Sequence, residues 1–371
     1  MPSRIVVFGA TGYTGRLTAE RLVAQGERPL LAGRSESRLR ELAERLGGLE
    51  WRVADIERPE TIAALLEAGD VLLTTVGPFK RWGEPALRAA IAAGGAYIDS
   101  TGEPPFIRRV FDEFGPPARR AGATLLPAMG YDFVPGTLAG ALALQDAGDD
   151  AIRVDVGYYA LGGGPQALSR GTRASLVGVA LDRAFAYRGG RVQTVRSAER
   201  VRAFPVRDKA RPAISVGGVE HFTLPAAYPQ LREVNVYLGW FAGASRAVQA
   251  GSLANAALAR LPGARAVLSR LAGVGGAGPA PGTTPGTMSY VVGVAYGAEG
   301  EQLAEVHVSG ADVYDFTAGC LAWAARRAAQ QGVQATGAAG PLEAFGLEAL
   351  EEGCAEAGVG RHPASAPSAG A

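Results

Sequence analysis

The strongest constraint on this chain lies within its first fifteen residues, where Ile5-Val6-Val7-Phe8 runs into Gly9-Ala10-Thr11-Gly12-Tyr13-Thr14-Gly15. A short apolar run bounded by glycine reads as a parallel strand covered on both faces. The glycine turn then delivers the chain into a helix opening at about Thr14. The three glycines do different things. Gly9 permits the tight exit from the strand, Gly12 lets backbone approach a pyrophosphate, and Gly15 lets helix and strand pack closely. An anion at that place meets unpaired N–H groups and the positive end of a helix dipole, roughly half a unit charge.

A second strand, Leu30-Leu31-Ala32-Gly33, follows at the distance a dinucleotide fold requires. An NAD site would carry Asp or Glu at its end to hold the ribose 2′-hydroxyl. This chain has Arg34 and Ser35 there, with Arg38 one helical turn on. A guanidinium is a planar fork suited to a 2′-phosphate, so NADP(H) is the expected cofactor. A solvated loop arginine is the plainer alternative for Arg34.

With 371 residues the chain has room for two domains. A hydrophobic fraction of 47% beside 20% charged residues describes a globular protein with a large core, and a net charge of +1 gives no reason to expect nucleic acid as a partner. Two cysteines, Cys320 and Cys354, cannot build a disulfide framework and point to a reducing, cytoplasmic setting. The chain enters a strand without a basic region and long apolar core, which argues against a secretory signal. No apolar run reaches the roughly 18 residues of a membrane span. The three histidines, His221, His307 and His362, are far apart in sequence, so neither a metal site nor a Ser-His-Asp hydrolase is expected.

Strand and helix patterns alternate through about residue 148, predicting a doubly wound parallel α/β sheet of the Rossmann type. Further strands are read at Trp51–Ala54, Asp70–Val76, Ala96–Asp99 and Ala123–Pro127. Helices are read at Thr14–Ala24, Glu36–Leu46 with Ser35 as N-cap, and Glu84–Ala93. Residues 149–334 read as a second, α+β domain for substrate binding or dimerisation, with a mostly antiparallel sheet. Its strand candidates are Ile152–Ala160, Arg191–Val201, His221–Leu224, Val234–Leu238 and the hairpin Met288–Tyr296 with Gln302–Val308. Residues 335–360 are expected to return to the first domain, and 361–371 to be a disordered tail. The basic segment 243–285 reads as a surface helix and loop, with weak association with anionic membrane as the alternative. A homodimer is a further expectation.

Ligands of open α/β sheets lie beyond the carboxyl ends of the strands. Gly9, Thr11, Gly12, Tyr13, Thr14 and Gly15 therefore cover the phosphates, and Arg34, Ser35 and Arg38 face the ribose. Asp55 and Ile56 border the adenine, while Val76, Gly77, Pro78 and Phe79 run under the nicotinamide half, with Ser100 and Met129 beyond the next strands. Hydride addition leaves charge on the substrate, so a proton donor helps. Tyr131 is the candidate donor, with Asp132 as its orienter or as an anchor for a cationic substrate; a pair of loop-stabilising hydrogen bonds is the bland alternative. Lys80, Glu103, Arg170 and Thr172 are candidate substrate contacts, though Lys80 is as readily a solvated side chain and Thr172 a helix cap.

Taken in order, Gly9-Ala10-Thr11-Gly12-Tyr13-Thr14-Gly15, Ala32-Gly33-Arg34, Val76-Gly77-Pro78-Phe79, Tyr97-Ile98-Asp99-Ser100-Thr101-Gly102-Glu103 and Gly130-Tyr131-Asp132-Phe133-Val134-Pro135 resemble the saccharopine-dehydrogenase-like oxidoreductases. Within that family the resemblance is to the trans-acting enoyl reductase branch, clearest over about residues 1–175. It implies a Rossmann domain with an α+β partner, use of NADP(H), and reduction of a C=C or C=N bond of a small-molecule or lipid-like substrate. The segment Gly130–Pro135 departs from the lysine-pathway saccharopine reductases, which argues against saccharopine itself as substrate. Two alternatives stand beside this reading: an amino-acid or imino-acid dehydrogenase, and a non-catalytic NADP(H)-binding sensor or membrane-associated scaffold.

Overall fold

The computed structural model describes residues 3–162, 184–239, 245–258 and 287–362. Six strands alternate with helices through the first part of the chain: β1 (Ile5–Phe8), β2 (Leu30–Gly33), β3 (Trp51–Val53), β4 (Val71–Thr74), β5 (Ala96–Asp99) and β6 (Thr124–Leu126). A seventh, β15 (Gly337–Ala338), arrives from the far end of the sequence and pairs in parallel with β6. The sheet order is β15-β6-β5-β4-β1-β2-β3, parallel throughout. This is a Rossmann-type sheet, and its order reverses between β1 and β4, where ligands of such sheets settle.

Both faces of this sheet are covered, as the unbroken apolar strand sequences predict. Side chains alternate along β1: Ile5 and Val7 enter one core, Val6 and Phe8 the other. Helices carrying Ile62, Leu87 and Phe106 cover the second face. The first face is closed in part by the helix Val313–Gln331, which lies against the helix Tyr13–Ala24 and strands β1, β4 and β5. The chain thus reaches the first sheet again at residue 313, earlier than the expected return at 335, because Phe316, Leu321 and Trp323 supply the apolar cover that face needs.

The second sheet contains β7 (Arg153–Leu161), β8 (Ala184–Arg188), β9 (Arg191–Val195), β10 (Val201–Val206), β11 (Lys209–Val216), β12 (Glu233–Leu238), β13 (Met288–Tyr296), β14 (Gln302–Gly310) and β16 (Val359–Arg361). Its main order is β10-β11-β12-β7-β13-β14-β16, with the β8–β9 hairpin paired to β12. Every pair is antiparallel except β7 with β12. The helix Val134–Ala147, buried from Val134 to Leu144, leads from the first sheet to the second and packs on β7, β13 and β14.

Three expectations are corrected here. His221–Leu224 lies within a helix, Glu220–Ala227, not a strand. Arg191–Val201 splits into β9 and the start of β10 around a turn at Ala198, whose φ is 50°. Arg361 is strand-paired in β16 and its guanidinium meets Asp146, so it is not part of a tail. Within the expected basic segment, Ser245–Leu258 is a helix; residues 259–286, Arg170, Thr172 and 363–371 lie outside the described residues. Among the described residues no helix is long and apolar enough to cross a membrane.

Candidate active site

The site is built on the turn after β1. Gly9 has φ +90°, and its N–H donates to Ala32 O at 2.9 Å, binding the turn to β2. Gly12 N–H then donates to Gly9 O at 2.9 Å and Gly12 stands as N-cap of the helix Tyr13–Ala24. No side chain caps that helix and no acid occupies its first turn, so its leading N–H groups face the mouth of the site. A Cβ at Gly15 would come within 2.3 Å of Gly9 O and 2.8 Å of Thr75 Oγ1. Only glycine lets this helix seat against the ends of β1 and β4.

Around the turn the other strand ends take their places. The Cα of Gly33 faces Thr11, with Thr11 Oγ1 3.8 Å from where a Cβ would stand. Arg34 and Arg38 follow, both exposed, and neither side chain has a hydrogen bond or ion pair among the described residues. Arg40, on the same helix, is by contrast paired with Glu36 and lies over Trp51. Ser35 stands as N-cap of Glu36–Arg45 but makes no side-chain capping bond. Asp55 Oδ1 accepts the Glu57 N–H at 3.1 Å, which shapes the turn at the edge of the nucleotide face beside Ile56. Tyr13 meets Tyr314 edge to face at 5.3 Å, so the helix Val313–Gln331 closes this side.

The loops after β4, β5 and β6 are tied together by two carboxylates. Glu103 accepts the N–H groups of Phe79 at 2.7 Å and Lys80 at 3.0 Å, capping the short helix Phe79–Trp82 after the cis Gly77-Pro78 bond. Both oxygens of Glu103 are thereby engaged by backbone N–H groups. Asp99 is buried and accepts three bonds: Tyr97 Oη at 2.7 Å, Thr101 N–H at 2.8 Å and Ala128 N–H at 2.9 Å. Burial raises its carboxyl to about 6 against the pull of those bonds. Ser100 remains half-buried at the β5 end, and Met129 is fully buried, its N–H donating to Asp99 O at 2.7 Å.

Tyr131 and Asp132 separate here. Tyr131 is buried, and its hydroxyl donates to Tyr159 O on β7 at 2.6 Å, while burial raises its ionisation. The phenol is a strut between the two sheets, its proton engaged by the Tyr159 carbonyl. Its N–H donates to Thr317 Oγ1 at 3.1 Å, bringing in a residue 186 positions away. Asp132 is half-buried beside Gly102, where a Cβ would stand 2.9 Å from Asp132 Oδ2. Burial alone raises its carboxyl, to about 6. A carboxyl that holds or releases a proton near neutrality, at a strand end, is suited to general acid–base work.

A separate recess of about 530 Å³ lies at the start of β7 and β12, lined by Arg153, Asp155, Arg200, Arg202, Glu233 and Asn235. It stands about 20 Å along β7 from Tyr159. Its charges are spent on one another, Arg200 on Glu233 and Arg202 on Asp155.

Residues 9–97 match a family model described as NAD(P)H-binding. Trans-acting enoyl reductases from Mycobacterium tuberculosis and Mycobacterium ulcerans are 42% and 41% identical to this chain over 140 residues, 36% of this chain and 34% of theirs. The likeness thus spans about a third of the curated relatives' length. The apo saccharopine dehydrogenase (L-Glu forming) of Saccharomyces cerevisiae shares the fold at a TM-score of 0.61, covering 98% of this chain and 100% of that one at 12% identity.

Proposed function

We propose that the protein is an NADP(H)-dependent reductase of an enoyl C=C bond, with a C=N bond as the second choice. The enoyl reading is carried over from the mycobacterial relatives, whose likeness spans 140 residues of this chain. The NADP(H) reading rests on Arg34 and Arg38, uncommitted cations standing where an NAD site would hold a carboxylate. The observation that carries the chemistry is Asp132, a desolvated carboxyl at the end of β6 with no hydrogen-bond partner among the described residues.

The residues present fit such a cofactor: the N–H groups opening the helix Tyr13–Ala24 receive the pyrophosphate, and Arg34 and Arg38 receive the 2′-phosphate. When bound, NADPH supplies a hydride. Gly77-Pro78 and Ser100 would border its nicotinamide half, and Glu103 fixes that wall through the Phe79 and Lys80 amides. Asp132, protonated, gives its proton to the atom left electron-rich by hydride addition, and takes another from solvent afterwards. Asp99 holds the β5 and β6 loops in register, so that Asp132 stays in place.

A crotonyl thioester serves as a probe. Consumption of NADPH with it should fall 10²–10⁴-fold in kcat for Asp132→Asn, the usual range for a lost general acid, with NADPH affinity unchanged. Turnover within twofold of the parent in that variant would remove Asp132 from the chemistry. No reduction of the thioester by the parent protein would overturn the enoyl reading.

A further inference from the structure

Glu220 opens the helix Glu220–Ala227 and is completely buried where the second sheet meets the loop after β6. Its Oε1 lies 2.5 Å from the Tyr158 hydroxyl, and its Oε2 has no hydrogen-bond partner among the described residues. The same Tyr158 hydroxyl lies 2.8 Å from the carbonyl oxygen of Phe133, the residue after Asp132. A carbonyl only accepts and a phenol owns one proton. The Phe133 carbonyl also accepts the Thr137 N–H at 3.2 Å and the Thr137 hydroxyl at 3.1 Å. The two short contacts of Tyr158 both close as hydrogen bonds only when Tyr158 donates to Phe133 and a second proton sits on the Glu220 carboxyl. An ionised Glu220 would leave Oε2 buried with no hydrogen-bond partner among the described residues and set Oε1 in competition for the Tyr158 proton.

Among the described residues no cation stands where it would hold a charge on Glu220. Tyr158 faces Glu220 from β7, and Asp132 from the β6 loop, its negative charge favouring the protonated form. His221, next on the same helix, has Nδ1 within 3.1 Å of the Gly218 backbone and is kept neutral by burial, its ring pushed down to about 4. On the helix Pro341–Phe345, Glu343 is engaged by Gly340 N–H and the Thr223 hydroxyl. On β8, Arg188 pairs with Glu199; on β12, Glu233 pairs with Arg200. On Val134–Ala147, Asp146 pairs with Arg361. Burial raises the Glu220 carboxyl to about 8.

We propose that Glu220 is protonated in the native protein at neutral pH and is a positioning residue for Asp132, acting through the chain Glu220–Tyr158–Phe133 carbonyl. The positioning role rests on the reading of Asp132 as the acid; the protonation does not. When Glu220 loses its proton to solvent hydroxide, Tyr158 turns its single proton from the Phe133 carbonyl to the carboxylate, and the Phe133 carbonyl keeps only the bonds from Thr137. The sign of the linkage follows from a native value raised above the ordinary 4.5: the stabilisation is complete below 4.5 and is lost as pH rises through about 8. Glu220→Gln keeps the shape and a donor for Tyr158 but cannot ionise.

The test is carboxyl ¹³C NMR of the full chain. With glutamate labelled, one resonance should stay at the protonated position at pH 7, titrate near pH 8, and be missing from Glu220→Gln. With aspartate labelled, the Asp132 resonance, assigned by its loss in Asp132→Asn, should move near pH 6 and again as Glu220 ionises. The second movement should vanish in Glu220→Gln. If that variant does not fold, Tyr158→Phe serves: the glutamate resonance stays protonated at pH 7 and the second Asp132 step shrinks to the direct effect of the Glu220 charge. Absence of any protonated glutamate at pH 7, a second Asp132 step that survives in Glu220→Gln, or one of undiminished size in Tyr158→Phe, overturns the proposal. Unimpaired thioester reduction by Asp132→Asn would instead remove the catalytic reading and leave the protonation of Glu220 standing.

Discussion

Gly15→Ala tests the nucleotide turn by adding one methyl group. In an ordinary helix that change stabilises by about 1 kcal/mol, because glycine gives up more backbone entropy than alanine on folding. At Gly15 the new Cβ would stand 2.3 Å from Gly9 O and 2.8 Å from Thr75 Oγ1, and restoring contact with Gly9 O means moving the helix about 1 Å. Neither side yields easily, since the Gly9 turn is bonded to Ala32 O and the helix face bears buried Thr18, Ala19 and Leu22. Overpacking costs about 1–3 kcal/mol when side chains relax, and here one obstacle is backbone, so the upper end applies. The steric term wins by about 2 kcal/mol. The same movement draws the leading N–H groups away from the phosphates, and one lost charge-assisted bond of about 1.5–3 kcal/mol weakens NADPH binding tenfold or more. Urea denaturation reads the first effect and NADPH fluorescence titration the second. Gly251→Ala is the internal control: in the helix Ser245–Leu258, with no described atom within 4 Å, it should stabilise by about 0.5–1 kcal/mol. A Gly15→Ala protein as stable as its parent, with unchanged NADPH affinity, would refute the packing argument.

Tyr131→Phe should leave thioester reduction within twofold of the parent while lowering stability by about 1–3 kcal/mol, since Tyr159 O loses its donor; a collapse of kcat alone would restore Tyr131 as the acid. Asp99→Asn should destabilise by about 2–3 kcal/mol in urea melts at pH 7.5, because an amide NH₂ cannot accept and is turned toward one or more of the donors from Tyr97, Thr101 and Ala128. A neutral effect would mean that Asp99 does not bind the β5 and β6 loops together.

The Rossmann half was legible because its signals are local: unbroken apolar strands, a glycine turn and helices between them. The second sheet was legible where alternation was long, as in β7 and the β13–β14 hairpin. His221-Phe222-Thr223-Leu224 misled because a short apolar run has no period to separate strand from buried helix, and the choice fell to tertiary contacts. The placing of Gly9–Gly15, Arg34 and Gly77–Phe79 at strand ends needed only the alternation of strands and helices. The catalytic assignment needed directions of side chains. Tyr131 turns into the interior because Tyr159 O awaits it, and Glu103 turns to the Phe79 and Lys80 amides, whereas the Asp132 carboxyl has no hydrogen-bond partner among the described residues. Thr317 and Glu220 lie 186 and 88 positions from Tyr131 and Asp132, and no local pattern announces either.

The central claim is an NADP(H) cradle completed by Arg34. Fluorescence titration of the full chain with NADPH and with NADH, repeated on Arg34→Ala, tests it most directly. The account predicts tighter binding of NADPH by the parent and loss of most of that preference in the variant, with NADH affinity unchanged. Equal binding of the two cofactors by the parent, or a preference untouched in Arg34→Ala, would contradict it.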